Sequence, residues 1–419
     1  MLAATVRVTR DLDAAQDCVQ DAYLAALDAW ARDGVPARPG AWLTTVARRG
    51  ALNALARGRT LEAKLPLLVE PATHEPEGER AMDADDEIGD DRLRLVFTCC
   101  HPALARDAQV ALTLRLVCGV ATADIAHAFL VSEPTMAARI TRAKRKIAAA
   151  SIPYAVPARA ELPARLDAVL TVVHLLSTTG HTAPSGETLV RVDLAERALD
   201  LARMLYVLLP DVPEVAGLLA LLLVHHARRA TRADGDGRLV RLEDQDRAAW
   251  DGDAIAHADR LVVAALRAPA DGPAPGRFAL QGAIAALHAQ APTYADTDWP
   301  QIVALYDALL AAWPSPVVAL NRAVAVAMVD GPDAGLALVA GLEADGRLAA
   351  YRYLPAVKAD LLGRLGRHDE AAAAYRAALA LTDSAQERVY LENRLGRVAA
   401  HGSRRAVGRR RSRTRRPRA

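Results

Sequence analysis

The sequence predicts an all-α protein of more than one domain, and three observations carry that expectation. Alanine, leucine and arginine recur along the chain while aromatic residues make up only 4%, a mixture that favours helices and deprives β-sheets of the side chains they pack best. Apolar residues recur at spacings of three and four, the mark of amphipathic helices. The length of 419 residues exceeds what one core organises, and 52% hydrophobic with 24% charged residues is a globular composition.

Residues 11–30, DLDAAQDCVQDAYLAALDAW, place Leu12, Ala15, Val19, Ala22, Ala26 and Leu27 on one helical stripe, with Asp17, Gln20, Asp21 and Asp28 outside it. Two glycines and two prolines in ARDGVPARPG make 31–40 a loop. A second helix then runs from Trp42 to Leu55, so residues 1–60 read as helix, loop, helix. Between 61 and 91, eleven acids face only Lys64 and Arg80, with three prolines among them, which predicts an acidic flexible linker. Residues 92–150 form another helical block, whose end is basic: Arg139, Arg142, Lys144, Arg145 and Lys146.

Beyond Pro153 and Pro157, helical segments continue as an extension over 151–285 and as hairpins over 286–400. In GRLGRHDEAAAAYRAALAL, Gly366, Glu370, Ala371, Tyr375, Ala378 and Leu379 fall at the offsets of a tetratricopeptide repeat, and Gly331 opens a looser copy 35 residues earlier, close to that repeat's period of about 34. Residues 401–419 form a tail with nine arginines and no acid. It reads as disordered, either a solubilising extension or a non-specific nucleic-acid contact, and without it the chain is net acidic.

Four cysteines (Cys18, Cys99, Cys100, Cys118) build no disulfide framework, and nothing resembles a signal peptide. The longest apolar stretch, Val215 to Val224, ends at His225 and His226, far short of the roughly 20 residues of a membrane span. The expectation is a cytoplasmic protein.

The most informative segment is RDAQVALTLRLVCGVATADIAHAFLVSEPTMAARITRAKRKI, residues 106–147. A short helix begins at Thr122 or Ala123, residues 130–133 make a tight connection, and Pro134 suits the first turn of the next helix. That is a helix-turn-helix. Met136, Ile140, Ala143 and Ile147 make the buried seam, leaving Thr135, Arg139, Arg142 and Lys146 facing out, a basic face suited to a major groove.

DAAQDCVQDAYLAALDAW with GAWLTTVARRGALNAL resembles region 2 of an extracytoplasmic-function sigma factor, and VATADIAHAFLVSEPTMAARITRAKRKIA resembles its region 4. FTCCHPAL, LVRLEDQDRAAWD and ADTDWPQIVALYDALL resemble the subgroup with a large C-terminal tetratricopeptide-like extension. The resemblance implies a non-enzymatic subunit whose partners are promoter DNA and the β′ and β subunits of core RNA polymerase. Asp17, Val19, Gln20 and Asp21 match the helix that binds the β′ clamp helices in the family. Trp42, Arg48 and Arg49 match the part that captures the melted minus 10 element, where stacking and backbone neutralisation hold single strands; Trp42 equally suits a core role. Thr135, Arg139 and Arg142 match positions that meet the minus 35 element, with Lys144 and Arg145 available to phosphates. Ala137-Ala138 stand where the family often has Lys-Ser, and Met1 falls partway through region 2, with the first helix missing.

Other classes are a helix-turn-helix regulator or repeat scaffold that does not engage polymerase, and a metal-dependent enzyme in the middle helices. His174, His181, His225, His226 and His257 with Glu187 and Asp193 match no HExxH, P-loop or GxSxG spacing. Cys99, Cys100, His101 and Cys118 lack the spacing of a structural zinc site and read better as buried thiols. No cofactor or metal is expected.

Overall fold

The computed structural model describes residues 1–64, 91–129, 131–158, 160–181, 188–234, 240–267, 274–382 and 387–400, and these form helices and connections with no β-strand. Most of the expected linker and the whole arginine tail lie outside the described residues. The chain divides into two units, residues 1–176 and residues from Ser177 onward.

The first unit begins with a helix that the sequence pattern did not reveal, α1 (Leu2–Thr9). Asp11 then caps α2 (Leu12–Asp33), its carboxylate accepting from the Ala14 N–H at 2.7 Å. Gly34, at φ 79°, ends α2 in a backbone conformation that suits glycine. The expected loop shortens to 34–38, because α2 runs to Asp33 and α3 (Pro39–Lys64) starts on a proline that needs no N–H partner. Ala22, Ala26, Leu43 and Ala47 pack between α2 and α3. Leu27, placed on the buried stripe by its spacing, is 70% exposed instead. Cys18, Ala22 and Ala26 track the buried side, and one further residue turns the helix by about 100°.

Next come α4 (Asp91–Cys99), α5 (Arg106–Leu112) with a wider π turn at Thr113–Val117, α6 (Thr122–Ala128) and α7 (Glu133–Ala149). Arg165, on α8 (Leu162–His181), donates to the Phe97 carbonyl at 2.9 Å near the end of α4. Tyr154 is buried, and its hydroxyl lies 2.8 Å from the carbonyls of both Ala3 and Asp91, so one proton serves α1 and α4. Tyr154→Phe is expected to cost about 1–2 kcal/mol, because removing the donor leaves both carbonyls poorer by a hydrogen bond. A urea midpoint equal to wild type would show that the hydroxyl adds nothing.

In the second unit, α9 (Thr188–Leu208) and α11 (Gly252–Leu266) pack on α10 (Pro213–Ala227), which is buried from Val215 to Val224. This is the apolar stretch noted in the sequence. No helix among the described residues is long and apolar enough to cross a membrane. α12 (Arg277–Gln290) crosses α10 where Gly217 and Gly282 meet. Glu214 fixes the start of α12 by accepting from the N–H groups of Phe278 (3.0 Å) and Ala279 (2.9 Å).

Helices α13 (Trp299–Ala312), α14 (Pro316–Val329), α15 (Pro332–Asp345), α16 (Tyr353–Arg364), α17 (His368–Ala380) and α18 (387–400) follow, each packed on the one before. Gly331 (φ 92°) and Gly366 (φ 72°), the glycines at the repeat spacing, occupy the turns before α15 and α17. Ala371, Tyr375 and Ala378 are buried in the last hairpin. Gly335 lets α15 approach α14 closely, since a Cβ there would come within 2.6 Å of the Ala327 Cβ.

Candidate polymerase and nucleic-acid interface

Helix α2 divides into two faces. Its inner side packs Ala15, Cys18, Ala22 and Ala26, while Asp17, Gln20 and Asp21 are exposed. Val19, grouped with these three in the sequence, is half-buried and packs on the core shared with α3. Burial, followed by the negative charges of Asp21 and Asp17, pushes the Cys18 thiol up. Tyr23, Leu24 and Leu27 are exposed at 53%, 55% and 70%. Leu24 and Leu27 follow Gln20 by about one and two helical turns, so the polar residues lie beside apolar ones on an open face. Sequence reasoning missed these three; their offset from Asp17 and Gln20 was the available signal.

On α3, Arg48 and Arg49 are exposed. Trp42 is half-buried against Trp30, with ring centroids 5.6 Å apart and planes tilted by 59°, and it borders the α2–α3 core. Its ring therefore takes part in holding the two helices together.

The helix-turn-helix is built by α6 and α7. Ser132 caps α7 through its hydroxyl, which accepts from the Thr135 N–H at 3.4 Å, and Pro134 stands in the first turn. Met136, Ile140, Ala143 and Ile147 are buried, the seam expected from the spacing. Thr135, Arg142, Arg145 and Lys146 are exposed. Arg139 is less open: its guanidinium lies 3.4 Å from Asp107 and 5.7 Å from the centre of the Phe129 ring. Lys144, expected beside Arg145 on the phosphate side, is instead drawn to α2. Its ammonium sits 2.7 Å from Asp13 and donates to Gln16, with only 13% of the side chain exposed. Helices α2 and α7 share this contact because Lys144 lies toward the buried seam, between Ile140 and Ile147.

All four cysteines are buried free thiols. Burial raises Cys99 well above its ordinary value and Cys100 to about 11, so neither is a ready thiolate. His101 accepts from the Ala103 N–H at 3.1 Å. Among the described residues, no group of three or more histidines, cysteines or acids could hold a metal ion. Of the histidines considered for an enzyme, the side chain of His181 lies outside the described residues, as do Glu187 and the side chain of Asp193.

A paired-helix domain followed by a helix-turn-helix is the arrangement that the resemblance to a sigma-type transcription initiation factor implies. Residues 2–60 match the family described as Sigma-70 region 2, and residues 94–147 match Sigma-70, region 4. Residues 165–266 match a family of unknown function (DUF6596). An uncharacterized protein of Rhizobium meliloti (strain 1021) is 42% identical over 402 residues, 95% of this chain and 93% of that protein. The chain belongs to the extracytoplasmic-function sigma factors that carry a C-terminal helical extension.

Proposed function

We propose that this sigma factor docks on the β′ clamp helices of core RNA polymerase through the open face of α2 and delivers the enzyme to a promoter through α3 and α7. The observation that carries the reading is the exposure of Asp17, Gln20 and Asp21 beside Leu24 and Leu27. Binding surfaces draw their energy from apolar anchors and their register from charges around them. Arg48 and Arg49 would neutralise the backbone of the melted minus 10 strand, and Trp42 would act by holding α3 against α2. Thr135 and Arg142 would read the minus 35 element, with Arg139 at the edge and Arg145 on phosphate. Lys144 would reach DNA only after leaving Asp13. The helical extension would regulate the initiating unit or receive a partner, as helical-repeat surfaces commonly do.

Run-off transcription with core polymerase and a library of promoter fragments tests this. The wild-type chain is expected to give sequence-specific transcripts, and the variant with Asp17, Gln20 and Asp21 changed to alanine to lose them about a hundredfold. Equal transcription from the variant would move the polymerase contact elsewhere. A chain ending at Leu176 is expected to initiate at an altered rate; an unchanged rate would remove the regulatory role from the extension.

A further inference from the structure

Helix α2 carries one stripe that is only partly open. Asp13, Gln16, Gln20, Leu24 and Leu27 follow one another at spacings of three and four, so their side chains leave the helix in nearly one direction. The stripe runs for about 21 Å, at about 1.5 Å per residue. Gln20, Leu24 and Leu27 are exposed. The first turn of the stripe is occupied instead: the Lys144 ammonium of α7 sits 2.7 Å from the Asp13 carboxylate and donates to the Gln16 side-chain oxygen.

This contact joins the two regions matched to sigma factors, residues 2–60 and 94–147, within the first unit. Lys144 stands on the seam side of α7, while Arg142, Arg145 and Lys146 are exposed. The contact therefore covers part of α2 and leaves the basic face of α7 open. A partner that uses the whole stripe does so only once Lys144 has left Asp13 and Gln16. The Asp13 side chain is 69% exposed, and an ion pair with one partner in water is weak. A docking helix that buries Leu24 and Leu27 gains enough apolar contact to displace it.

We propose that Asp13 and Gln16 belong to the polymerase-docking face of α2, and that Lys144 closes this end of the face in the free factor until the β′ clamp helices displace it. The inference rests on the reading that polymerase docks on α2. Only the open fraction of the free chain is competent to dock, so the closed contact lowers the apparent affinity for core polymerase by that fraction. The recognition helix thus shares a surface with polymerase, and docking releases it from α2.

Carbodiimide coupling of the full chain, read by peptide mass spectrometry, tests this, because it joins an ammonium to a carboxylate in contact. A Lys144–Asp13 cross-link is expected in the free chain, and its yield is expected to fall about fivefold or more on saturation with core polymerase. The Lys358–Glu343 pair of the second unit, 2.8 Å apart, is the internal reference and should keep its yield. Lys144→Gln is expected to bind core polymerase, without DNA, about three- to tenfold more tightly than wild type, as removal of a closed state does. The proposal is overturned if the cross-link does not form in the free chain, if its yield is unchanged in the polymerase complex, or if Lys144→Gln binds core no more tightly. The variant with Asp17, Gln20 and Asp21 changed to alanine separates this inference from the docking reading. Core binding equal to wild type in that variant removes both; loss of core binding there, with an unchanged cross-link in the wild-type complex, removes this inference alone.

Discussion

Gly217→Ala is expected to destabilise the extension by about 3 kcal/mol, the upper end of the usual cost of overpacking a core. A Cβ at Gly217 would lie 2.4 Å from the Ala279 Cα and N and 2.7 Å from the Phe278 carbonyl carbon. All three atoms are backbone, so no side-chain rotation relieves the clash. The crossing is tight from the other side as well, since a Cβ at Gly282 would come within 2.7 Å of the Gly217 carbonyl oxygen. Relief requires α10 to move off α12, and α10 is buried from Val215 to Val224, so the shift would disturb the packing around that stretch. Helix propensity pulls the other way, favouring alanine by about 1 kcal/mol, and so the sign of the change decides the matter. Gly341→Ala on α15 is the matched control: a Cβ there meets nothing within 4 Å, so propensity alone should stabilise it slightly. Urea denaturation of both variants gives the comparison. A Gly217→Ala protein as stable as wild type would mean that the two helices do not approach as closely as described.

The second large effect concerns α7. Arg142→Ala is expected to weaken binding to the cognate promoter by about 1–3 kcal/mol and to relax preference at one base position, as loss of a bidentate guanine contact does. Arg145→Ala should weaken binding about equally on all sequences and reduce the salt slope by about 1, as loss of a phosphate contact does. Lys144→Ala should leave that slope unchanged, because the Lys144 ammonium is held by Asp13 and Gln16. Fluorescence anisotropy of promoter fragments over a range of salt separates the three. If Arg145→Ala and Lys144→Ala lower the slope alike, Lys144 leaves α2 when DNA binds.

What could be read from the chain depended on how local its cause was. The seam of α7 was legible because Met136, Ile140, Ala143 and Ile147 repeat at helical spacing after a Ser132 cap and Pro134. Gly331 and Gly366 were legible only as members of the repeat spacing, and their place in positive-φ turns came from the structure. Helix α1 was missed because LAATVRVT is short and rich in β-branched residues, and its packing against α2, α3 and α4 is what favours it. Leu27 was misplaced because two adjacent apolar positions cannot both face the core of so narrow a stripe. The pairing of Lys144 with Asp13 and the approach of Arg352 to the Arg228–Arg232 segment join residues distant in sequence, so no window of the chain contains their cause.

The clusters of the C-terminal hairpins overlap: Leu336 packs both on the core around Leu320, Val339 and Leu361 and on the core around Ala359, Tyr375 and Leu391. Neighbouring hairpins that share a side chain lose part of their own stability when one opens, which couples them like adjacent spins in a one-dimensional chain. Under a pulling force applied at the far end, such an array gives way as a travelling front rather than as independent beads. α17 and α18 are the first links to part, and each loss loosens the next.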